Sequence, residues 1–502
     1  MERRADERAT RRARQTELPF DTSRPYRLDP QVSLREEPFG ALAYHFGNRR
    51  LTFLKSLTMV EVVRSLERHA SARATLRGAN VDDHDRPRYE RALAALEHGG
   101  LITARDGDGT ATDSDERGAP TPAGTNRPEV KRQRTEQLES GLSAPICLTW
   151  ELTYACNLSC VHCLSSSGRR DPRELTTAEA KRVIDELAAM GVFYVNVGGG
   201  EPTVRPDFFE LLDYAVARRV GVKFSTNGVR IDERVARRLT ATDYVDVQIS
   251  VDGADEATND AVRGPGSFAT ARRAMTNLAD AGFGPFKISV VMTRHNVAQL
   301  DAFKSMADAY GAQLRITRLR PSGRGADSWH DLHPTQGQQR EIYDWLCDHP
   351  DVLTGDSFFH LSALGAPLPG LNLCGAGRVV CLIDPVGDVY ACPFVMHDRF
   401  RAGNVRDKGG FADVWRESAL FRELREPDTA GACASCGMYD SCRGGCMAAK
   451  FFTGLPLDGP DPECVKGHGE EALAGVMAGD APSRGHDHSH RRWVPVSING
   501  RS

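Results

Sequence analysis

Six short apolar runs rich in β-branched residues, at 146–153, 192–197, 222–225, 244–251, 286–292 and 314–319, are spaced along the middle of the chain. Between them lie longer stretches in which apolar residues recur at helical spacing, as at 178–190, 208–219, 268–281 and 297–310. Strands joined by helical crossovers pair in parallel, and a parallel sheet needs helices to cover it. The alternation therefore predicts an α/β fold of six βα units, a partial (β/α)6 barrel. Its ligands would sit at the carboxyl ends of the strands, and its open side would admit a large substrate.

The periodicity fails from Arg105 to about Gly141, where a polar run reads as a flexible linker. This divides the chain into a basic, disordered arm (1–24), a small front domain (25–103), the linker (104–141), the barrel (142–335), a cysteine-rich domain (336–472) and a tail (473–502) carrying His486, His488 and His490. At 502 residues and 40% hydrophobic content there is room for several cores. A net charge of −4 and a pI near 6.4 give no general attraction to polyanions, so no nucleic-acid partner is expected. No membrane span is readable, and the six arginines among the first fourteen residues lack the apolar core of a secretory signal. The expected location is cytoplasmic, where thirteen cysteines with C-x2-C spacings argue for metal rather than disulfides.

Cys156, Cys160 and Cys163 follow the first predicted strand directly, in the run Thr153-Tyr-Ala-Cys-Asn-Leu-Ser-Cys-Val-His-Cys163. A C-x3-C-x2-C loop can hold three corners of a [4Fe–4S] cube and leaves the fourth iron open. Such an iron binds and reduces a small molecule instead of only relaying electrons. The alternative is a structural zinc loop that uses Cys160 and Cys163 and recruits two further ligands. Against it stands a Gly-rich turn after the next strand, Val195-Asn-Val-Gly-Gly-Gly-Glu-Pro202, for which a zinc ribbon has no use.

Triplet and turn together resemble the radical SAM superfamily, whose members bind S-adenosylmethionine (SAM) on the open iron and cleave it reductively to a 5′-deoxyadenosyl radical. The resemblance implies that Gly199, Gly200, Glu201 and Pro202 face SAM. Glycines let backbone approach a ligand, and the Glu201 region offers acceptors for the methionine ammonium. Ser225 and Asn227, and Ser250 and Asp252, end predicted strands at the same mouth, where they could bond the ribose and methionine portions. The planar fork of Arg263 could pair with the SAM carboxylate. For Asn227 and Asp252 a plain turn role is the alternative.

Downstream the cysteines recur as Cys374-x12-Gly387-x4-Cys392, then Cys433-x2-Cys436-x5-Cys442-x3-Cys446, then Cys464. This resembles the SPASM domains, extensions that carry two auxiliary iron–sulfur clusters in peptide-modifying enzymes. The resemblance implies three [4Fe–4S] clusters in all. The nearer auxiliary one would take Cys374, Cys392 and Cys446, with Cys381 as fourth ligand, and the farther one Cys433, Cys436, Cys442 and Cys464. Cys381 lies outside the seven-cysteine pattern, which leaves open an iron facing substrate. Two zinc sites are the structural alternative. Cys147 and Cys347, both in apolar patterns, are expected to be buried thiols.

The front domain reads as a small sheet packed on helices, a winged-helix-like unit, with strand-like runs at 31–35, 41–46 and 50–53 and helical stretches at 59–69 and 86–98. It has no dense basic helix for DNA, since Arg64, Arg68, Arg88 and Arg91 alternate with Glu61, Glu67, Glu90 and Glu97. A peptide can instead add as a strand to a sheet edge. The run from Glu37-Pro-Phe-Gly to Phe53-Leu-Lys55 resembles the peptide chaperone of the mycofactocin system. The enzyme half, through Tyr194–Thr203, Gly221–Gly228, Leu371–Cys381 and Gly444–Gly454, resembles the mycofactocin radical SAM maturase.

The resemblance implies a ribosomal precursor peptide ending in Val-Tyr, an external one-electron donor of ferredoxin or flavodoxin type, oxidative decarboxylation of the terminal tyrosine, and then joining of valine and tyrosine carbons. No side chain stands out as general acid or base. Two other readings stay open: a different SPASM maturase forming thioethers or formylglycine, and a DNA-binding iron–sulfur sensor, which the open-iron triplet disfavours.

Overall fold

The computed structural model describes residues 20–48, 50–105, 141–354, 358–365, 368, 374–425 and 431–476. The linker at 106–140, the arm before residue 20 and the histidine-bearing tail after residue 476 lie outside the described residues. The chain divides into two compact units at residues 138 and 139.

In the first unit, β1 (Tyr26–Leu28) pairs antiparallel with β5 (Ile102–Ala104), while β2 (Val32–Glu37), β3 (Gly40–His45) and β4 (Arg50–Leu54) form an antiparallel meander. Helices Leu57–Ser65, Ala72–Gly78 and Arg86–His98 contribute Val60, Val63, Leu76, Leu93 and Leu96 to the core it shares with Tyr26, Ala41 and Leu54. Ser56 and Ser71 start two of these helices by accepting the N–H groups of Met59 and Ala74. Residues 20–24, expected in the arm, are folded: the Phe20 ring stacks on Tyr26 with centroids 4.8 Å apart, and the carbonyls of Thr22 and Arg24 accept from Arg73 and Ala72.

In the second unit, β6 (Cys147–Thr153), β7 (Tyr194–Gly199), β8 (Gly221–Thr226), β9 (Val245–Ser250), β10 (Lys287–Met292) and β11 (Gln313–Arg318) run parallel in chain order. This is the predicted α/β barrel arrangement. Helix Thr177–Ala189 shows why the pattern was readable: Thr176 and Glu179 form a reciprocal capping box, and Ala180, Val183, Ile184 and Leu187 make one buried stripe. Helices Glu233–Thr240 and Glu256–Arg263 are too short for a periodic signal and were not anticipated.

The cysteine-rich segment is joined to the barrel rather than set beside it. β12 (Val380–Ile383) pairs parallel with β6, and β13 (Asp388–Tyr390) and β14 (Arg401–Asn404) follow antiparallel, giving a nine-stranded sheet ordered β11-β10-β9-β8-β7-β6-β12-β13-β14. One apolar core runs from Leu148 and Phe224 through Ile342 to Trp415 and Phe451. Among the described residues no helix is long and apolar enough to cross a membrane.

Candidate functional site

Every element around the Cys156, Cys160 and Cys163 loop is spent on holding it. The loop leaves β6 at Thr153 and is closed by reciprocal backbone bonds, Gly168 N to Tyr154 O at 2.8 Å and Cys156 N to Gly168 O at 2.9 Å. Buried Glu174 accepts from Tyr154 N (2.8 Å) and Thr153 Oγ1 (3.0 Å). Arg324 reaches in from the far side, with its N donating to Cys163 O, its Nε to Cys160 O and its Nη1 to Ser167 O, each at 2.9 Å. Burial pushes the Cys156 thiol up to about 12, with Glu201, Cys163 and Cys160 adding to the rise, and burial raises Cys160 as well. Burial thus disfavours the thiolates of Cys156 and Cys160 unless a metal group neutralises them. Such a soft, anionic donor set fits an iron–sulfur cube.

The glycine turn is built against this loop. Gly200 N donates to Thr153 O and Glu201 N to Ala155 O, both at 2.8 Å. A Cβ on Gly200 would lie 2.1 Å from Ala155 O, so no side chain fits there. Gly199 has φ +113°, and a Cβ there would sit 2.4 Å from Thr153 O. A Cβ on Gly198 would meet nothing within 4 Å, which leaves the inner face of β7 open beside the loop.

The side chains of Glu201 and Asp252 are both engaged within the chain. The Glu201 carboxylate is buried and fully engaged, accepting from Thr203 Oγ1 (2.5 Å), Thr226 Oγ1 (2.7 Å) and Asn227 N (2.7 Å). It ties the turn after β7 to the turn after β8, which leaves backbone carbonyls as the acceptors there. Buried Pro202 begins the short 3₁₀ turn Pro202–Val204. Asp252 is fully buried, 2.9 Å from His162 Nε2 and 2.7 Å from Arg263 Nε, and it accepts from Val291 N at 2.7 Å. It pins the cysteine loop, through His162, to the helix ending at Arg263. Burial opposes its charge, but Arg263 and then His162 hold it far below the usual carboxylate range.

Arg263 thus meets an internal carboxylate through Nε, beside Cys160, whose sulfur lies 4.0 Å from Arg263 O. Asn227 donates to Asn157 Oδ1 at 2.9 Å, another tie to the cysteine loop. Ser225 accepts from Gln248 at 3.2 Å, and Ser250, next to Ser289 in register, stays half-buried. These serines lie on the inner face of the sheet, since Phe224, Val247, Ile249 and Ile288 fill the opposite one.

The second cysteine group separates into two sets. Burial and then Cys446 raise the Cys374 thiol, and burial and then Cys374 and Cys446 raise that of Cys392. Gly387, at φ +88°, makes the β12–β13 turn that brings Cys392 round, and a Cβ there would press on Val405 at 2.9 Å. Cys381 is buried on β12, in register with Leu148 and close enough to Arg425 to influence it. Cys433, Cys436, Cys442 and Cys464 line one pocket together with Asp461. Burial pushes Cys433 up to about 11, with Lys450 opposing the rise. Lys450 also lowers Cys374, so one buried ammonium acts on both sets. Cys347 is exposed, which corrects the expectation of a buried thiol: it lies on the outer side of helix Gln336–Asp348. The Cys147 side chain lies outside the described residues.

Several polar residues around these sites had no sequence signal. Arg318, at the end of β11, is bidentate on Asp461 and pairs with Glu463, and Asp461 in turn accepts from Cys446 N at 2.6 Å. Glu151 on β6 is buried, with Oε2 unpartnered. Burial, then Asp384, raises it to about 8. Both groups are ordinary residues within strands or loops, and only the fold brings Asp461 to Cys446 and Glu151 to Asp384.

Residues 150–307 match the radical SAM superfamily, 374–437 the SPASM iron-sulfur cluster-binding domain, and 25–103 the peptide chaperone MftB family. Fold and site together define a radical SAM enzyme with a SPASM extension. The chain is 70% identical over 366 residues to mycofactocin maturase MftC of Mycobacterium tuberculosis (strain ATCC 25618 / H37Rv), covering 72% of this chain and 94% of that protein. With MftC of Mycolicibacterium smegmatis it shares 70% identity over 366 residues, 72% of this chain and 93% of that protein. The chain belongs to the mycofactocin maturase family, with a chaperone-family domain in the same polypeptide. Among solved structures, Streptococcus suis SuiB bound to S-adenosylmethionine superposes with a TM-score of 0.61 at 17% identity, covering 87% of this chain and 99% of that one. SuiB bound to its precursor peptide SuiA gives 0.60 at 16% identity, covering 88% and 99%. At such identities the likeness is one of fold.

Proposed function

We propose that this chain removes the carboxylate of the C-terminal tyrosine from a Val-Tyr-ending mycofactocin precursor and then joins valine and tyrosine carbons, while residues 25–103 hold the peptide. The observation that carries this reading is 70% identity to MftC over 94% of that protein, in a chain that also has a chaperone-family domain. In this reading residues 142–335 form the SAM-binding barrel and 336–472 the auxiliary domain. Cys156, Cys160 and Cys163 would hold the SAM-binding cube, Cys374, Cys381, Cys392 and Cys446 the nearer auxiliary one, and Cys433, Cys436, Cys442 and Cys464 the farther one. When bound, SAM on the open corner supplies a primary carbon radical able to take a hydrogen atom.

The balance for a terminal tyrosine is simple. One hydrogen atom leaves Cβ, carbon dioxide leaves from Cα, one electron departs, and an unsaturated tyramine end remains. The clusters that the auxiliary thiol sets would hold would receive that electron, and a ferredoxin- or flavodoxin-type donor would start each turnover. The chain's residues contribute position: Arg324, Glu174 and Asp252 lock the loop. A cytoplasmic setting would keep the thiols reduced. The test is an anaerobic reaction with SAM, reductant and a peptide deuterated at the tyrosine Cβ. Label in 5′-deoxyadenosine and a peptide lighter by the elements of formic acid are expected. 5′-Deoxyadenosine without a peptide change contradicts the substrate assignment.

A further inference from the structure

Beyond β11 the segment 319–325 crosses between the two thiol groups. Gly323 packs on the cysteine loop so closely that a Cβ would lie 2.5 Å from Cys163 O, and a Cβ on Gly325 would lie 2.9 Å from Arg320 O and 3.2 Å from His162 O. On the other side the Arg320 guanidinium stacks on Phe394, 3.6 Å from the ring centroid, and its charge reaches Cys392. Arg320 is therefore placed between the loop of the SAM-binding cube and the nearer auxiliary thiols.

Arg320 is 5% exposed, and its Nε has no hydrogen-bond partner. Among the described residues its guanidinium makes one hydrogen bond, from Nη1 to Arg318 O at 3.3 Å, which goes to a neutral carbonyl. Among the described residues no carboxylate stands within ion-pair distance of it. Arg318 alongside takes both nearby acids, Asp461 and Glu463. Ser322, also buried, has an unpartnered Oγ in the same segment. Arg320 acts on Glu463 only from beyond ion-pair distance, and a buried guanidinium with no ion pair of its own among the described residues is costly, while its fork is shaped for a carboxylate. An anion arriving with a ligand would complete that fork.

We infer that Arg320 binds the C-terminal carboxylate of the peptide substrate, holding the terminal residue between the radical-generating loop and the nearer auxiliary thiols. The inference rests on the proposed peptide substrate and adds the group that recognises its end. Stacking on Phe394 fixes the plane of the fork, and the burial of Arg320 shields the pair from water.

The test uses the full, cluster-loaded chain and a Val-Tyr-terminated peptide in two forms, with a free carboxylate as substrate and with a C-terminal amide as competitive inhibitor. For the unaltered protein, KM for the acid should lie about 10–100-fold below the inhibition constant of the amide, as expected for one charge-assisted pair. In Arg320→Met the two constants should converge, and Arg320→Lys should keep part of the preference. Potentiometric titration of the auxiliary clusters separates the rival role. A potential that falls in Arg320→Met while the acid preference persists would make Arg320 a counter-charge to the cluster and overturn the inference. Equal acid and amide constants in the unaltered protein would overturn it too. Failure of any Val-Tyr peptide to compete better than a scrambled one would instead refute the substrate reading itself.

Discussion

At Gly200 a single hydrogen separates a working turn from a clash, because the position of a Cβ is already taken by Ala155 O. Gly200→Ala should cost about 1–3 kcal/mol of stability through overpacking. It should also lower SAM binding, both readable by thermal unfolding with and without SAM. Asp252→Asn removes the one anion shared by buried Arg263 and His162 and should cost about 3–5 kcal/mol. Because Asp252 is held far below its ordinary value, its contribution is complete at neutral pH and is lost only as pH falls below about 4, so the variant should lose that acid limb. Glu151 behaves oppositely. Raised to about 8, it keeps in the folded chain a proton that the unfolded chain releases above about pH 4, so its burial costs more stability as pH rises toward 8. Glu151→Gln should raise the unfolding temperature more at pH 8 than at pH 6, and an equal rise at both would reject the protonation argument. Of these residues Gly200 was legible, since a Gly-Gly-Glu-Pro turn after a cysteine triplet is a local signal. Asp252 was less so: a strand-end aspartate looks the same in sequence whether it meets a ligand or a buried histidine, which is why ligand and turn roles both stood open there.

Strands were the most readable elements, because β-branched runs with buried alternation are local properties, and all six barrel strands stand where the pattern put them. The joining of β12 to β6 was not readable. It pairs residues more than two hundred positions apart, and nothing in a four-residue strand announces its partner. The cysteine spacing was legible because turn geometry dictates it: Gly387 supplies a left-handed turn that only a residue without a side chain takes cheaply. The division into two auxiliary sets is tested by iron content. Replacing Cys433 and Cys436 by serine should remove roughly four irons per chain and leave the SAM-sensitive signal of the first cube in place. Loss of that signal together with the auxiliary iron would show that the sets are not independent.

Across the whole molecule, the front domain and the enzyme belong to one polypeptide, joined through residues 106–140. Delivery of a peptide within one chain replaces a bimolecular encounter by an effective concentration on the order of millimolar. Peptide turnover per enzyme should therefore stay constant on dilution of the intact chain. It should fall with dilution once the chain is cut between residues 106 and 140, as followed by peptide mass at a series of protein concentrations. The account as a whole stands on the open corner that Cys156, Cys160 and Cys163 would leave for SAM. Electron paramagnetic resonance of the anaerobically reduced protein, with and without SAM, tests it most directly. A cubane signal that changes shape on adding SAM, and that disappears when the three cysteines become serine while auxiliary signals persist, is the expected result. A spectrum indifferent to SAM, or peptide turnover surviving the triple replacement, would contradict it.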